Sequence, residues 1–460
     1  MNSYVTVTDQ FCGAGGSSIG ATAAGAELKL ALNHWPLAIE THNSNFPDAL
    51  HDCTDISACD PRRYPSTDIL ITSPECTNHS LAKGKARRLS HPDLFGAVKA
   101  DPAAERSRAT MWDVPRFAEF HRYQLIVVEN VVEARSWVLW EAWLHAMQLL
   151  GYDWEIVYFN SMFAHPTPQS RDRMYVVFWR RGAPRPDLAI QPAAFCARCQ
   201  GNVQAVQSWK NPRKRWGKYR QQYVYRCPTC QAQVEPYYYC AANAIDWSLP
   251  APRIGDRERP LKERTLARIR VGLEKFGRRP LLMDRIHNAR RDEDLFWTVD
   301  KPNRTQIGQS SHALVMPPFL VNYYGTGDAS RLDNPTPTVP TRDRHALVVP
   351  PFLVSYYTRV SGIQAAVAGV DEPVPTVPGW AVHYLAQPGE TPSVEECGFR
   401  MLQPHEIHRA MAFPPDYKVL GNQRDRVKQY GNAVTPPVMS ILMERCVATL
   451  AQTAAPGGVA

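Results

Sequence analysis

The chain has 460 residues, of which 44% are hydrophobic and 21% charged, a globular composition with core for two or three domains. No apolar run approaches the roughly 18 residues of a membrane span, and the first residues enter a strand-like pattern, so we expect neither a membrane segment nor a signal peptide. The net charge of +8 fits a polyanionic partner. Four of the 11 cysteines form two Cys-x-x-Cys pairs, which favours a reducing compartment over a disulfide framework.

The first elements predict a strand, a glycine-rich turn and a helix. Residues 4–9 alternate as a strand does, Gly13–Ser18 forms the turn, and residues 19–26 are helix-like. Such a turn lets a ligand approach the backbone at a helix N-terminus. The spacing is not Gly-x-Gly-x-x-Gly, so NAD is not expected, and a plain turn is the alternative. A second strand, 28–32, ends before His34–Trp35, where ribose contacts are expected in this kind of fold.

Cys76 is the candidate nucleophile. The apolar run Ile69–Ile71 predicts a short buried parallel strand that stops at Ser73–Pro74, because proline cannot continue a central strand. The cysteine then lies at the sheet edge where α/β proteins bind ligands. A small buried thiol without chemistry is the alternative. The following basic segment, Lys83–Arg88, is either a loop that closes on phosphates or a solvated charged loop.

A carboxylate and two arginines follow in the next elements. The apolar strand 125–128 ends at Glu129, which places a candidate general acid at the same edge as Cys76; a surface glutamate is the alternative. Farther on, Arg171 and Arg173 stand two residues apart in a strand-like run that extends to residue 178. We expect them to share one face of that strand and to hold an anion.

The two Cys-x-x-Cys pairs predict a structural zinc site. Cys196 and Cys199 are separated from Cys227 and Cys230 by 27 residues, the pattern of a zinc ribbon with four cysteine ligands; chance repeats are the alternative. Basic residues alternate with aromatic ones between the pairs, which suits phosphate contact or base stacking, whereas a solvated hairpin tip is the other interpretation. The basic residues at the centre of this segment are Arg213, Lys214 and Arg215.

From residue 300 the chain repeats itself, with periods of 33 and 38 residues. The copies carry His-Ala-Leu-Val at 312–315 and at 345–348, and we interpret them as β-rich units with proline-rich turns. The segment between them contains Arg342 and Arg344, a candidate loop for a DNA groove.

A series of motifs in this order resembles the DNA (cytosine-5) methyltransferase family over about residues 4–180 and 396–440. They are Asp9–Gly16, Asp55–Ile56, Pro74–Cys76 with Ser80, Glu129–Val131, Gln169–Arg173, Arg400–Glu406 with Phe413–Pro414, and Gln429–Val434.

The resemblance implies S-adenosylmethionine as cofactor and assigns contacts residue by residue. The cofactor contacts would be Asp9, Phe11, Gly13, Gly15, Gly16, His34, Trp35, Asp55, Ile56, Pro74, Asn432 and Val434. Ser80 belongs to the matched catalytic loop, whereas the other candidate DNA contacts are taken from the basic segments themselves: Lys83, Lys85, Arg87, Arg213, Lys214, Arg215, Arg342 and Arg344.

The resemblance also implies the fold and the domains. We expect an α/β, Rossmann-like methyltransferase domain with a mostly parallel sheet, made by residues 1–180 and completed by 396–460. Between these parts, 181–395 would be a β-rich target-recognition domain with a zinc ribbon at 193–243 and repeats at 296–390. The helix from Pro436 would pack beside the N-terminal cofactor site.

The implied activity is methyl transfer to C5 of cytosine in double-stranded DNA, through a covalent bond from Cys76 to C6 and with the base flipped out. Glu129 would assist at N3 and the amino group, and Arg171 and Arg173 would position the base. Two residues depart from the family. Glu75 stands where proline is usual, and a carboxylate beside a thiol raises its pKa unless it pairs with a cation. His34 stands where an acidic ribose contact is usual.

Three alternatives stay open at this point. The chain could transfer a different group to C5, bind DNA without turnover because Glu75 has silenced the thiol, or methylate RNA, although the long zinc-containing region favours DNA. We expect a monomer in the cytoplasm, bacterial or phage-encoded and associated with the nucleoid. A cognate restriction endonuclease is left open as a partner.

Overall fold

The computed structural model describes residues 5–75, 110–276, 281–284, 295–299, 301–305, 312–316, 319–322, 345–348, 353–354, 367–368 and 393–454. These residues form two compact units, one within Met1–Ala244, Pro302–Ser310 and Gln403–Ala460 and the other within Ile245–Lys301 and Ser311–Leu402. Among the helices described, none has the length and apolarity needed to cross a bilayer.

A seven-stranded sheet forms the centre of the first unit. The strands up to residue 180 are Thr6–Gln10 (β1), Glu27–Asn33 (β2), Leu50–Cys53 (β3), Ile69–Thr72 (β4), Leu125–Asn130 (β5), Tyr152–Asn160 (β6), Gln169–Ser170 (β7) and Asp172–Arg180 (β8). The sheet order is β3-β2-β1-β4-β5-β8-β6. Neighbours from β3 to β5 are parallel, and β8 runs antiparallel to both β5 and β6. The predicted mostly parallel sheet is therefore confirmed.

The sheet order places a switch point between β1 and β4. The chain moves outward from β1 to β2 and β3, then returns to the other side of β1 through β4. In open α/β sheets, ligands bind at the carboxyl ends of the strands where the order reverses. The apolar run of β4 is fully buried, as expected for a central parallel strand covered on both faces. Glycine-rich residues 13–16, which follow β1, therefore lie at the place where a ligand is expected.

The helices of this unit come from both the N-terminal and the C-terminal segments of the chain. Their bounds are Gly16–Ala23, Pro36–Asn45, Asp113–His121, Trp140–Leu149, Pro404–Ala410, Gln423–Asn432 and Pro436–Ala454. The last helix packs on the first so closely that a Cβ added to Gly20 would lie 2.6 Å from Cβ of Met439. This agrees with the expected packing of the C-terminal helix beside the N-terminal turn. In Gln403–Glu406, the Glu406 carboxylate accepts a hydrogen bond from the Gln403 N–H at 2.7 Å, which explains the start of its helix.

Residues 193–234 fold into short strands in the same unit as the central sheet. They are Ala193–Cys196 (β9), Gly201–Gln204 (β10), Val206–Trp209 (β11), Tyr223–Arg226 (β12) and Gln233–Val234 (β13). β9 pairs with β10, and β11, β12 and β13 form a three-stranded antiparallel sheet. Buried side chains of this segment, among them Tyr223 and Tyr225, belong to the hydrophobic core of the central sheet.

The second unit contains a four-stranded antiparallel sheet. The strands described beyond residue 280 are Leu281–Asp284 (β14), Phe296–Thr298 (β15), Asn303–Arg304 (β16), His312–Met316 (β17), Phe319–Asn322 (β18), His345–Val348 (β19), Leu353–Val354 (β20), Val367–Ala368 (β21) and Gly398–Met401 (β22). Of these, β16 belongs to the first unit. The order β15-β14-β17-β22 is covered by the helix Glu263–Phe276 through Ile269 and Leu273. The two His-Ala-Leu-Val copies are strands, β17 and β19, but β19 pairs with β18 in a separate sheet. The prediction of a target-recognition domain stays a prediction.

The run from Gln169 to residue 178 is not one strand, so that prediction is wrong. It breaks at Arg171, because β7 pairs with β16 while β8 pairs with β5 and β6. The backbone of Arg171 is bonded instead to its neighbours: its N–H donates to Asn160 Oδ1 at 3.1 Å, and its carbonyl accepts from the Ser161 N–H at 3.0 Å. The two arginines consequently do not belong to one strand: Arg171 lies between β7 and β8, and Arg173 is the second residue of β8.

Candidate active site at the carboxyl edge of the central sheet

The turn after β1 is shaped by close packing as much as by space for a ligand. Phe11, Gly13 and Gly15 have positive φ angles of 56°, 51° and 87°. A Cβ added to Gly16 would collide with the Val434 carbonyl, and one added to Gly15 with the Tyr417 hydroxyl. At Gly13, by contrast, a Cβ would meet only the Phe11 carbonyl, at 3.9 Å. Gly15 and Gly16 need glycine for packing, and Gly13 borders the open side of the turn.

Three side chains with buried polar atoms lie at the strand ends of the switch point, and the sequence had not singled them out. Gln10 is the last residue of β1, Thr72 the last of β4, and Ser73 follows it. The Gln10 amide, Thr72 Oγ1 and Ser73 Oγ are buried without a hydrogen-bond partner among the described residues. Buried polar groups normally have partners, so these groups indicate a place for a polar ligand. The signal available in the sequence was a polar residue at the end of an apolar strand.

The predicted cofactor residues after β2 lie near the end of β4. Trp35 is half-buried, its N–H donates to Asn33 Oδ1 at 2.9 Å, and Lys428 Nζ lies 4.1 Å from the centre of its ring. His34 is exposed, and its Nδ1 lies 4.0 Å from Oε1 of Glu75. The two departures from the family pattern are thus brought together. A protonated His34 would be a cation beside the Glu75 carboxylate, which is the pairing that would relieve its effect on a neighbouring thiol.

The remaining predicted cofactor positions differ in exposure. Ile56 is 2% exposed and lies in the hydrophobic core, whereas Asp55 is exposed and accepts a hydrogen bond from the Ser57 N–H at 3.1 Å. Pro74 is buried, and its carbonyl accepts a hydrogen bond from Asn130 Nδ2 at 3.3 Å. Asn130 therefore connects the end of β5 to the loop after β4. The Glu129–Val131 motif alone did not predict this role. In the C-terminal segment, Val434 is buried and lies against Gly16.

Glu129 and Arg173 form an ion pair at the same edge. Arg173 Nε lies 2.9 Å from Glu129 Oε1, and the two side chains are only 13% and 12% exposed. Arg173 also donates to the Asp172 carbonyl at 2.8 Å. Such a well-covered pair holds a carboxylate in one orientation, because breaking it would leave a buried charge.

Arg171 does not face the same way. It is 4% exposed, and its guanidinium donates to the carbonyls of Gly431 and Ala433, each at 3.2 Å. These bonds fasten the C-terminal motif, which includes the predicted contact Asn432, to the sheet. In the described structure Arg171 bonds to backbone carbonyls and Arg173 to a carboxylate, and a shared anion site for the two arginines stays a prediction.

A buried hydrogen-bonded chain runs from β1 toward the surface. Asp9 Oδ2 accepts from Ser17 Oγ at 2.5 Å and from Ser18 Oγ at 2.6 Å. Ser18 Oγ is also 2.9 Å from His42 Nε2, and His42 Nδ1 is 2.8 Å from His51 Nε2. Burial raises the pKa of Asp9 to about 6 and lowers the pKa of His42 to about 3. Asp9 is thus a buried residue that holds the turn through its hydrogen bonds with Ser17 and Ser18, and it is not an exposed cofactor contact.

The four cysteines of the Cys-x-x-Cys pairs come together. All four sulfur atoms of Cys196, Cys199, Cys227 and Cys230 lie within 4.8 Å of one another. Sγ of Cys196 is 3.5 Å from that of Cys230, and Sγ of Cys199 is 3.8 Å from that of Cys227. A disulfide would require about 2.05 Å. Tetrahedral zinc with bonds of about 2.3 Å places its sulfur ligands roughly 3.8 Å apart, so this group could hold a metal ion.

The basic segment between the cysteine pairs presents its charges and buries aromatic rings. Arg213, Lys214 and Arg215 are exposed, and Lys214 Nζ lies 4.6 Å from the centre of the Trp216 ring. Trp209 instead packs edge-to-face on Tyr158 at 5.6 Å between ring centres. The charged residues are exposed, and their predicted contact with phosphate stays a prediction, whereas Trp209 packs against Tyr158.

Seven predicted residues lie outside the described part of the chain. They are Cys76, Ser80, Lys83, Lys85, Arg87, Arg342 and Arg344. The roles assigned to them stay predictions.

The fold and the site define a class: an α/β protein whose mostly parallel sheet ends in a ligand-binding switch point, with a buried carboxylate–guanidinium pair beside it. The family model for C-5 cytosine-specific DNA methylases matches residues 5–195 and 348–448, more than half of the chain. The chain therefore belongs to the C-5 cytosine-specific DNA methylase family.

The individual relatives have low sequence identity to this chain and match only part of it. The Type II methyltransferase M.HgiDI of Herpetosiphon aurantiacus is 26% identical over 179 residues, which are 38% of this chain and 52% of the relative. The Type II methyltransferase M.HgiGI of the same organism is 31% identical over 131 residues, 28% of this chain and 90% of the relative. The chain thus spans about half the length of M.HgiDI. Among solved structures, the Entamoeba histolytica methyltransferase EhMeth is 13% identical, with a TM-score of 0.48 over 98% of this chain and 99% of that chain.

Proposed function

We propose that the chain transfers a methyl group from S-adenosylmethionine to C5 of cytosine in double-stranded DNA. The observation that carries the proposal is the Glu129–Arg173 pair beside the loop that leads to Cys76. β4 and β5 are adjacent parallel strands with Thr72 opposite Val128, so Glu129, the next residue of β5, lies beside Ser73, which follows β4. The Asn130 bond to the Pro74 carbonyl fixes the spacing of these two ends. A carboxylate is thereby held next to the start of the segment that carries the thiol.

Cys76 would supply the nucleophile. C5 of cytosine is a weak nucleophile, and addition of the Cys76 thiolate to C6 makes it reactive. Glu129, oriented by Arg173, would accept a hydrogen bond from the exocyclic amine and share a proton with N3, so that the ring can take up the electron pair displaced from the C5–C6 double bond when the C6–S bond forms. After methyl transfer, loss of the C5 proton to a base lets the C6–S bond break and frees Cys76. The target atom is inaccessible inside a duplex, so the cytosine would be flipped out.

The switch point suits S-adenosylmethionine. The cofactor would supply an electrophilic methyl group on a sulfonium, and it carries polar groups that need partners. Gln10, Thr72 and Ser73 offer buried hydrogen-bonding groups there, and the open side of Gly13 leaves room beside the turn. Trp35 offers an aromatic face for the adenine. We assign Arg171 a positioning role, because its guanidinium holds the backbone around Asn432.

We also propose that the four clustered cysteines hold a structural Zn²⁺. Four thiolates with mutual spacing close to that of a tetrahedron are the donor set of structural zinc rather than of magnesium or calcium, which prefer oxygen. The Cys199 N–H donates to Cys196 Sγ at 3.4 Å, a bond that favours a ligating sulfur. Metal analysis of the purified protein tests this directly. One equivalent of zinc is expected, lost in Cys199→Ser and kept in Cys240→Ser, which changes a cysteine outside the cluster; equal zinc in both variants would contradict the assignment.

The activity is tested by product analysis. The protein is incubated with S-adenosylmethionine and mixed-sequence duplex DNA, which is then digested to nucleosides for mass spectrometry. We expect 5-methylcytosine with the unmutated protein and none with Cys76→Ser. A duplex containing 5-fluorocytosine should trap the protein covalently, because C5 cannot release fluorine as it releases a proton. Methylation by Cys76→Ser, or trapping by that variant, would refute the mechanism.

The same assay separates the alternatives. A heavier cytosine product would indicate a different transferred group, and DNA binding without product would indicate an inactive relative. Competition between duplex DNA and tRNA distinguishes the substrate class. A monomeric state, a cytoplasmic location and a cognate restriction endonuclease stay predictions.

A further inference from the structure

The segment that joins β11 to β12, residues 210–222, contacts both catalytic segments from outside the site. The Tyr219 N–H donates to Asp172 Oδ1 at 3.0 Å, and Asp172 stands between Arg171 and Arg173. Lys218 Nζ lies 2.5 Å from Oε1 of Glu133. Glu133 belongs to the short helix Val132–Ser136, which begins directly after the Glu129–Val131 motif. One segment therefore touches the strand of the arginine and the segment of the carboxylate.

The contact with Asp172 is placed to set the direction of Arg173. Asp172 is the first residue of β8 and is opposite Asn160 in the β6–β8 pairing. Its carbonyl accepts from Arg173, while its carboxylate accepts from Tyr219. Burial raises the pKa of the Asp172 carboxyl to about 6. A carboxyl buried in this way is held in its orientation by its hydrogen-bond partners, among them the Tyr219 N–H. A change at Tyr219 would be transmitted through one residue to the guanidinium that orients Glu129.

Aromatic packing holds the segment rigidly on the sheet. The Tyr219 ring lies edge-to-face on Phe163 at 4.8 Å between centres, and Tyr225 does the same at 5.2 Å. Phe163 follows β6 in the helix Ser161–Phe163. Edge-to-face pairs of this kind stabilise one mutual orientation of the rings, beyond the effect of the area they bury. The segment is thus a packed part of the catalytic unit and not a free arm.

The cysteine cluster determines whether this segment can stay in place. β12 ends at Arg226, and Cys227 is the next residue, so the strand that carries Tyr225 leads directly into the cluster. The cluster joins it to Cys196 at the end of β9. Without a metal ion, four thiols would be left at this junction with no bond between them, because none forms a disulfide.

We infer that the metal-bound ribbon positions the Glu129–Arg173 pair, through Tyr219–Asp172 and Lys218–Glu133, in addition to any contact with DNA. The inference rests on the proposed function for its catalytic consequence. Its structural part is independent of turnover: metal binding at the cysteines should rigidify the segments that contain Glu129 and Arg173.

Hydrogen exchange tests the structural part without an assay of activity. The metal-loaded protein is compared with Cys199→Ser and with Asp172→Ala, and exchange is followed by mass spectrometry in peptides covering 129–136 and 171–175. We expect exchange there to accelerate at least about fivefold in both variants, with residues 27–45 unchanged. Acceleration confined to residues 193–240 in Cys199→Ser, or none at 129–136 in Asp172→Ala, would overturn the inference.

Steady-state kinetics then separates positioning from DNA contact. Asp172→Ala should lower kcat roughly 10- to 100-fold with little change in KM for DNA, since a displaced catalytic group affects the reacting state. Asp172→Asn keeps an acceptor for the Tyr219 N–H and should recover most of the rate. The exposed pair of Glu155 and Arg185 provides a control, Glu155→Gln, expected to behave as unmutated. An increase in KM alone for Asp172→Ala would overturn the positioning role. Absence of turnover in the unmutated protein would refute the proposed function, and hydrogen exchange would then decide the structural part of the inference.

Discussion

Replacement of His42 should remove much of the acid sensitivity of this fold. His42 is completely buried, its Nε2 lies 2.9 Å from Ser18 Oγ, and its Nδ1 lies 2.8 Å from His51 Nε2. Burial, followed by the nearby His51, lowers the pKa of His42 from 6.5 to about 3. The folded state therefore resists a proton that the unfolded chain accepts readily.

The sign and size of the effect of pH on stability follow from the difference between the pKa values of His42 in the folded and unfolded chain. Because the folded pKa is lowered, the contribution of His42 to stability is present above pH 6.5 and is lost as the pH falls toward about 3. One pH unit between the two pKa values corresponds to about 1.4 kcal/mol, so the full loss is about 5 kcal/mol, of which about 2 kcal/mol is lost by about pH 5. Asp9 acts in the opposite direction: its pKa is raised to about 6, so its contribution is present at low pH and is lost as the pH rises through that value.

The assay is urea unfolding of the unmutated protein and of His42→Gln between about pH 7.5 and 5. The variant is expected to be less stable at neutral pH, since it changes a buried hydrogen-bonded group, but to lose about 2 kcal/mol less on acidification. Asp9 is present in both proteins, so the difference isolates His42. His145, exposed on the helix Trp140–Leu149, supplies the control His145→Gln. Parallel pH profiles for the unmutated protein and His42→Gln would refute the reasoning.

Three further changes test the packing, the ion pair and the nucleophile. Gly20→Ala should destabilise the folded protein by roughly 1–3 kcal/mol in thermal unfolding, because its Cβ would lie 2.6 Å from Met439 Cβ and 2.7 Å from the Pro436 carbonyl oxygen. Ala23→Ser, at an exposed position of the same helix, is the control. Equal melting temperatures of Gly20→Ala and the unmutated protein would contradict the packing. Arg173→Leu should cost roughly 3–5 kcal/mol in urea unfolding by leaving Glu129 buried without its partner, and adding Glu129→Gln should recover part of it; no recovery would mean that the charge is not the cause. Glu75→Gln should lower the pKa of the Cys76 thiol, because it removes a like charge beside the thiolate, and the pH dependence of thiol alkylation measures this; an unchanged alkylation profile would contradict the predicted effect of Glu75.

The sequence alone predicted the framework of the site. Short apolar runs such as Ile69–Ile71 specify buried strands, because a continuous apolar segment must be covered on both faces. Polar and charged residues at the ends of such runs then predict one functional edge, and the structure places Gly13, Pro74 and Glu129 there. The family was also evident from motif order, since each motif is a local pattern in the chain.

The tertiary structure decided which residues meet, because pairing between distant segments is not encoded in local periodicity. Arg171 and Arg173 are two residues apart, yet one bonds to carbonyls near residue 432 and the other to Glu129. The two departures from the family pattern, His34 and Glu75, are 41 positions apart in the chain and 4.0 Å apart in space.

The place of the ribbon was likewise a tertiary outcome. Cysteine spacing predicted the cluster, because four ligands in two short pairs need only local turns to converge on one ion. That spacing contains no information on what the ribbon packs against. The structure places it on β6 and at the start of β8, because the aromatic residues of its hairpin pack against Phe163 and Tyr158 and the Tyr219 N–H bonds to Asp172. Local pattern thus determined the elements and the cysteine cluster, and burial of side chains from distant segments determined how residues 193–234 meet the segments of Glu129 and Arg173.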